Sequence, residues 1–212
     1  MPSIFRRLTD YQWEVIKPFL KNNQPKKLIL RDVVDAIRRV NKTGMQWRDL
    51  EGNYPKWQSV YYYHNKWSKD GTSKLIMSAL SSMERENYDR QAKPSLLAFD
   101  SQSVKAAPFV YQERGIDGGK NINGRKRHIA VDTQGLPWAV YVGRANQHDG
   151  EAGLELLHQL AGIGMDRLKI IRGDSAYGGV FAEGAGWYGW EMGSLTDVNY
   201  KHFVRSNAGN TR

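Results

Sequence analysis

The stretch Leu96–Lys105, LLAFDSQSVK, decides the predicted fold of this chain. It begins as an apolar run typical of a buried strand and turns polar at Asp100. The stretch Leu168–Tyr177, LKIIRGDSAY, repeats the pattern and places Asp174 at the end of its own apolar run. An aspartate often follows a strand simply as a turn or cap residue. Two such carboxylates at the ends of neighbouring strands would instead supply the oxygen ligands that Mg²⁺ prefers.

The sequence between these two stretches predicts a β-hairpin and then a helix. Residues 125–132 and 137–142 alternate as two strands around Thr133-Gln134-Gly135, and residues 151–160 carry a stripe of leucines at helical spacing. The order strand, hairpin, helix, strand predicts a mixed α/β sheet of the ribonuclease-H-like kind, with the first strand central. Adjacent strands lie about 4.8 Å apart. Asp100 and Asp174 could therefore share a metal, as a two-metal phosphoryl-transfer site requires.

The front of the chain is basic and helical. Of the net charge of +9, residues 1–94 hold 18 Lys and Arg against 10 Asp and Glu, whereas residues 95–212 are nearly balanced. Apolar residues recur at helical spacing in residues 8–20, 30–40 and 56–67, and Gly44 is placed to end the second helix. This pattern predicts an all-α, helix-turn-helix-like domain that binds nucleic acid. A small helical bundle with an ordinary solvated basic surface is the alternative.

Within the third helix, the spacing predicts a buried face and a polar face. The predicted inward residues are Trp57, Val60, Tyr61, His64 and Trp67. The opposite face carries side chains suited to phosphates and base edges, and we predict DNA contacts at Lys56, Gln58, Ser59, Tyr62 and Lys66. The basic run at the start of the hairpin adds Arg125, Lys126 and Arg127.

Composition excludes several other kinds of site. The chain has no cysteine, which rules out disulfides and thiolate metal sites. No run of 18 apolar residues and no signal peptide are present, so we expect a cytoplasmic protein with no membrane partner. The glycine-rich stretch GIDGGKN lacks the spacing of a phosphate-binding P-loop, and no nucleotide cofactor is expected.

Seven motifs in order between residues 8 and 179 resemble bacterial insertion-sequence transposases of the DDE class, in the group named after insertion sequence five. They are LTDYQWEVIKPFL, RDVVDAIRRVNKTGMQWRDL, YPKWQSVYYYHNKWSKDGT, DSQSVKAA, GRKRHIAVDTQGLP, ANQHDG and GDSAYGG. The resemblance implies a DNA-binding front part and a ribonuclease-H-like part that cleaves and joins DNA with Mg²⁺, for which Mn²⁺ can substitute. It also implies double-stranded DNA as partner, at transposon ends and target, a homo-oligomer on DNA, and a location at the bacterial nucleoid.

The resemblance also assigns residues. Asp100 matches the first catalytic, metal-binding acid and Asp174 the second. Lys105 and Tyr177 match recurrent positions near the site, and Lys105 is counted with the DNA contacts. Asp149 matches a position just before a helix, to which we assign no catalytic role.

The last part of the sequence departs from the family pattern. The family's third acid is a glutamate on a later helix, and neither Glu183 nor Glu191 lies in a stretch resembling that helix, so the third acid is unassigned. We therefore predict domains at 1–94 and 95–179, the second incomplete, and a loosely packed, Gly-rich tail at 180–212. Such a tail is what a truncated or frameshifted gene would append. The chain is then expected to be catalytically incomplete, and a non-catalytic DNA-binding remnant that occupies transposon ends or inhibits the intact enzyme is the alternative function.

Overall fold

The computed structural model describes residues 5–23, 28–107 and 112–194. The chain divides into two compact units, Met1–Met83 and Glu84–Arg212, and the division falls inside a helix. The sequence placed the domain boundary slightly later, after residue 94. The last turn of that helix carries Arg85, whose partners lie in the second unit.

The first unit is built from helices at the predicted positions. Its α-helices are α1 (Asp10–Ile16), α2 (Leu30–Thr43), α3 (Trp57–Lys69) and the first turns of α4 (Thr72–Asn87), with 3₁₀ turns at Lys17–Asn23 and Trp47–Asp49. Thr9 caps α1 in a capping box with Gln12, and Gly44 ends α2 in the left-handed conformation with φ of 66°. The predicted helical domain is thus confirmed.

The core of the first unit joins residues from three of these helices. It contains Leu8, Ile16, Leu20, Leu30, Val33, Val34, Tyr63 and Trp67. The connection from α2 to α3 covers residues 44–56 and is longer than the three- or four-residue turn of a DNA-binding helix-turn-helix. The short turn in this unit joins α3 to α4 instead, through Asp70 and Gly71.

The second unit is a six-stranded mixed sheet. Its strands are β1 (Leu96–Lys105), β2 (Gly115–Asp117), β3 (Ile122–Val131), β4 (Pro137–Arg144), β5 (Ile170–Gly173) and β6 (Glu191–Ser194). The central strand β1 pairs antiparallel with β3 on one side and parallel with β5 on the other. Beyond them, β3 pairs with both β2 and β4, and β5 pairs parallel with β6.

Two helices complete this ribonuclease-H-like arrangement. Helix α5 (Asp149–Gly162) leads from β4 to β5, and α6 (Val180–Trp187) leads from β5 to β6. Leucines of α5 and the side chains of Phe181 and Ala185 in α6 pack with inward side chains of the strands, including Leu97, Phe99 and Ile171. The predicted fold class, with β1 central and β5 parallel beside it, is confirmed.

The prediction of a loosely packed tail is wrong for residues 180–194. These residues form α6 and β6, and Phe181, Ala185 and Trp190 belong to the core. One of the glycines serves close packing, since a Cβ on Gly184 would lie 2.5 Å from a methyl carbon of Leu154. Residues 195–212 lie outside the described part of the chain.

None of the helices in the described ranges is both long and apolar enough to span a bilayer.

Candidate active site

The strand register brings the two predicted acids level with each other. Ala98 of β1 pairs with Arg172 of β5, and two further steps along each parallel strand lead to Asp100 and Asp174. Both side chains are exposed at this end of the sheet. Because paired strands run about 4.8 Å apart, the two aspartates occupy neighbouring positions on adjacent strands.

Each of the two carboxylates is fixed on one side by a backbone amide. The N–H of Ser101 donates to Oδ1 of Asp100 at 2.8 Å, and the N–H of Ala176 donates to Oδ1 of Asp174 at 3.1 Å, where Asp174 caps the 3₁₀ turn Ser175–Tyr177. Within the described ranges, neither carboxylate forms an ion pair with a lysine or arginine. Two such acids create a region of negative charge that suits a hard divalent cation.

A third carboxylate, Asp149, lies close to this pair but is already bonded. The Ser101 hydroxyl donates to its Oδ2 at 2.8 Å, and the Lys126 ammonium donates to its Oδ1 at 2.6 Å. Burial acts to raise the pKa of Asp149, but the hydrogen bonds from Lys126 and Ser101 outweigh it and hold this pKa below the ordinary value. Asp149 is therefore an ionised, charge-balanced group.

Tyr177 and His128 form a buried, uncharged pair behind the acids. The Tyr177 hydroxyl lies 3.0 Å from Nδ1 of His128, and both side chains are fully buried. Burial raises the pKa of Tyr177 well above its ordinary value, and the negative charges of Asp149, Asp100 and Asp174 raise it further. Burial also lowers the pKa of His128 to about 4, so its ring is neutral near pH 7.

The basic residues at the start of β3 do not form one continuous surface. Arg127 is exposed and hydrogen-bonds Gln102 across the strands, while Arg125 is half-buried and donates to the carbonyl oxygen of Gln112. Lys126 was predicted as a DNA contact, but its side chain is 12% exposed and is held by Asp149. Strand alternation explains the difference, because residues 126 and 128 point to the face opposite 125 and 127. Lys105 is exposed at the end of β1.

The polar face predicted for α3 is largely exposed. Lys56, Gln58 and Tyr62 are exposed, whereas Ser59 and Lys66 are half-buried. The prediction was wrong for Tyr61, which is 43% exposed, while Tyr63 is buried in its place. The inward face follows Val60, Tyr63 and Trp67, and Tyr61 packs against the exposed side of Trp47 with ring centroids 5.4 Å apart.

No third metal ligand is found among the described residues. No group of three His, Cys, Asp or Glu side chains is arranged there to hold a metal. Glu191 pairs with Ile170, at the end of β5 opposite Asp174, and Glu183 is an exposed residue in the first turn of α6. In the described structure the candidate metal site therefore consists of two carboxylates, those of Asp100 and Asp174.

Sequence reasoning missed Ser101 and the bond between Lys126 and Asp149. The period of two along β3 could have indicated that Lys126 and His128 share a face. Nothing local indicates that this face meets the first residue of α5, because Lys126 and Asp149 are 23 positions apart.

The second unit is a mixed sheet in which Asp100, within β1, and Asp174, directly after β5, lie on neighbouring parallel strands. Residues 91–190 match the family model described as the transposase DDE domain, and residues 8–77 match DUF4096, described as a transposase of the IS4/5 family. These two matches make the chain similar to IS4/5-family transposases with a DDE domain, and each covers less than half of it.

Comparison with solved structures adds three distant neighbours. A simian T-cell lymphotropic virus intasome in complex with the PP2A regulatory subunit B56 gamma matches with 21% identity and a TM-score of 0.38, covering 55% of this chain and 38% of that one. A Mos1 transposase paired-end complex with the left transposon end matches with 10% identity and a TM-score of 0.36, covering 89% and 66%. A piggyBac transposase synaptic complex with hairpin DNA matches with 14% identity and a TM-score of 0.34, covering 92% and 43%.

This chain therefore spans less than two thirds of the length of the first two neighbours. None of the curated proteins matches it.

Proposed function

We propose that this protein is a transposase that binds the ends of an insertion sequence and carries out metal-dependent cleavage and strand transfer of DNA. One observation carries the proposal: residues 91–190 match a DDE domain, and the β1–β5 register puts Asp100 and Asp174 side by side. Both carboxylates are exposed, and neither forms an ion pair with a lysine or arginine among the described residues. We further propose that it acts at the bacterial nucleoid as a homo-oligomer on DNA.

The acid pair fits Mg²⁺, with Mn²⁺ as substitute. Asp100 and Asp174 would hold the cation through their carboxylate oxygens, the ligand type that this cation prefers. When bound, such a cation lowers the pKa of a water or 3′-hydroxyl and stabilises the leaving oxygen of a phosphodiester. The protein's own part is to hold the two acids in place through the Ser101 and Ala176 amides. Tyr177 stays protonated and His128 neutral, so they add no charge to the site.

The first test measures Mn²⁺ binding to the whole chain. We expect Mn²⁺ to raise the melting temperature of the unaltered protein and to raise that of Asp100→Asn and Asp174→Asn little or not at all. A ligand at a free concentration of 100 times its Kd stabilises the folded protein by about 2.7 kcal/mol, and each variant should lose most of this stabilisation. Without metal, either variant should be slightly more stable, because it removes repulsion between like charges.

Glu191→Gln is the matched control, since it removes one exposed carboxylate at the opposite end of the parallel strands. It should keep the full response to Mn²⁺. An Asp100→Asn chain that responds like the unaltered one would place the metal site elsewhere. A further assay uses DNA duplexes taken from either side of the coding sequence. If the chain binds them but does not cleave them in the presence of Mn²⁺, the DNA-binding remnant is favoured over the enzyme.

The proposed DNA interface is the exposed face of α3 in the basic first unit. Gln58 and Tyr62 lie one turn apart on this face, and Lys56 stands just before the helix. An amide such as Gln58 can pair with adenine through two hydrogen bonds, whereas a lysine neutralises a phosphate of any sequence. The two side chains should therefore contribute differently to binding.

Fluorescence anisotropy with flanking and random duplexes tests this difference. Lys56→Ala should weaken binding to both duplexes and reduce the slope of log K against log salt by about 0.9. Gln58→Ala should reduce only the preference for the flanking duplex, by about 1–3 kcal/mol. Lys169→Ala, which removes an exposed lysine in the second unit, serves as control. Equal losses on both duplexes for the Lys56 and Gln58 variants would argue against base recognition by α3.

A further inference from the structure

Three bonded side chains lie directly beside the acid pair, and the proposed function does not use them. This Asp149 cluster consists of Ser101, Lys126 and Asp149. The side chains of Lys126 and Asp149 are only 12% and 13% exposed, and Lys126 also donates to the carbonyl oxygen of Gln147 at 3.2 Å. The cluster is therefore fixed from three elements: β1, β3 and the start of α5.

Asp149 is poorly suited to bind a metal itself, although it lies near the pair. Both of its oxygens accept hydrogen bonds, one from Lys126 and one from Ser101. Its charge is balanced by an ammonium at 2.6 Å. Turning either oxygen toward a cation would leave a largely buried lysine without its counter-ion, which is strongly unfavourable.

The cluster instead reaches the metal pair through the backbone of Ser101. The same residue donates its hydroxyl to Asp149 and its N–H to the carboxylate of Asp100. Asp149 is the first residue of α5, where its negative charge is favoured by the helix N-terminus, and so it is attached to a rigid element. A continuous chain of contacts thus runs from α5 through Asp149 and Ser101 to Asp100.

We infer that Asp149 is a positioning residue that holds Ser101, and through it Asp100, in the geometry for metal binding, and that Asp149 is not the third metal ligand. This inference rests on the proposed metal site. Lys126 balances the charge of Asp149, whereas Asp100 and Asp174 have no lysine or arginine partner in the part of the chain that the structure describes. Hydrogen-bond partners that orient a ligand typically change metal affinity or activity 10–100-fold when removed.

The test is Mn²⁺ affinity of the whole chain, measured from free Mn²⁺ by electron paramagnetic resonance. Ser101→Ala removes the hydroxyl donor and should weaken binding about 10–100-fold. Ser101→Thr keeps the hydroxyl and should bind like the unaltered chain. In the double variant Lys126→Met/Asp149→Asn the pair is neutral but the amide oxygen can still accept from Ser101, so affinity should stay within about 10-fold of the unaltered chain.

Asp100→Asn provides the reference for loss of a ligand. If the double variant binds Mn²⁺ as poorly as Asp100→Asn, Asp149 is a ligand and the inference is overturned. If Ser101→Ala binds Mn²⁺ as well as the unaltered chain, Ser101 does not position Asp100, and the inference fails while the proposed metal site stands. If the unaltered chain binds no Mn²⁺, the proposed function fails and the inference fails with it.

Discussion

Replacing Arg85 with methionine is expected to lower the free energy of unfolding of the second unit by about 3–5 kcal/mol. Its guanidinium donates to Oδ2 of Asp132 at 2.7 Å, and the two side chains are 6% and 0% exposed. Nε of the same arginine donates to the carbonyl oxygen of Gln91 at 2.8 Å. Removing the arginine would leave a fully buried carboxylate without its counter-charge.

The remaining donors around Asp132 cannot replace that charge. The N–H groups of Gln134 and Leu136 donate to Oδ1 at 2.8 and 3.0 Å, and the indole of Trp138 donates to Oδ2 at 3.2 Å. All three are neutral, whereas a buried carboxylate needs a paired charge to offset its desolvation. Because these donors form the β3–β4 turn, we expect the hairpin to loosen first.

Hydrogen exchange of peptides from β3 and β4, together with urea unfolding, would measure this loss. Arg90→Met is the matched control, because Arg90 is an exposed arginine five positions further along the chain. It should change stability by less than about 0.5 kcal/mol. In Arg85→Met/Asp132→Asn both charges are gone while the amide oxygen can still accept from the turn N–H groups, and part of the lost stability should return. Equal stabilities of Arg85→Met and Arg90→Met would contradict the expectation.

The sequence predicted well those features that follow from short-range patterns. These features are the apolar runs before Asp100 and Asp174, the hairpin, the leucine stripe of α5 and Gly44 at the end of α2. Each can be recognised within a short stretch of sequence. The parallel pairing of β1 and β5 then followed from the order of the elements, and with it the level placement of the two acids.

Features that depend on distant partners could not be predicted in this way. Arg85 and Asp132 are 47 positions apart, and each looks like an ordinary surface charge in its own segment. On α3, Tyr61 and Tyr63 are both compatible with a helical face, and the choice depends on where Trp47 packs. Asp100 and Asp174 were singled out because each follows an apolar run, although β1 continues beyond Asp100 to Lys105. Asp149, which accepts from Ser101, lies on another element.

Glycine content was the most misleading signal. It predicted loose packing in residues 180–212, but Gly184 lies in α6 where the Leu154 side chain comes too close for a Cβ. Glycines earlier in the chain have similar close contacts. A Cβ on Gly153 of α5 would lie 2.5 Å from the ring of Phe181 in α6. Composition does not distinguish such contacts from flexibility, because the neighbouring atoms come from a different element.

Gly124 of β3 is the position where such a contact should matter most. A Cβ there would lie 2.0 Å from the carbonyl oxygen of Val104 and 2.8 Å from the amide nitrogen of Ala106. Both are backbone atoms and cannot rotate away. We therefore expect Gly124→Ala to force β1 and β3 apart and to cost at least about 3 kcal/mol, at the upper end of the range for overpacking.

The effect of Gly124→Ala should extend to the candidate metal site. Lys126 lies two positions further along β3, on the same face, and a displaced strand would pull its ammonium from Asp149. Gly186→Ala in α6 is the control, because nothing lies within 4 Å of its Cβ and its φ is not positive. That control should be neutral or more stable by up to about 1 kcal/mol. Thermal unfolding and Mn²⁺ affinity of both variants test this expectation. A Gly124→Ala chain as stable as Gly186→Ala would contradict it, because β1 and β3 could then separate at no cost.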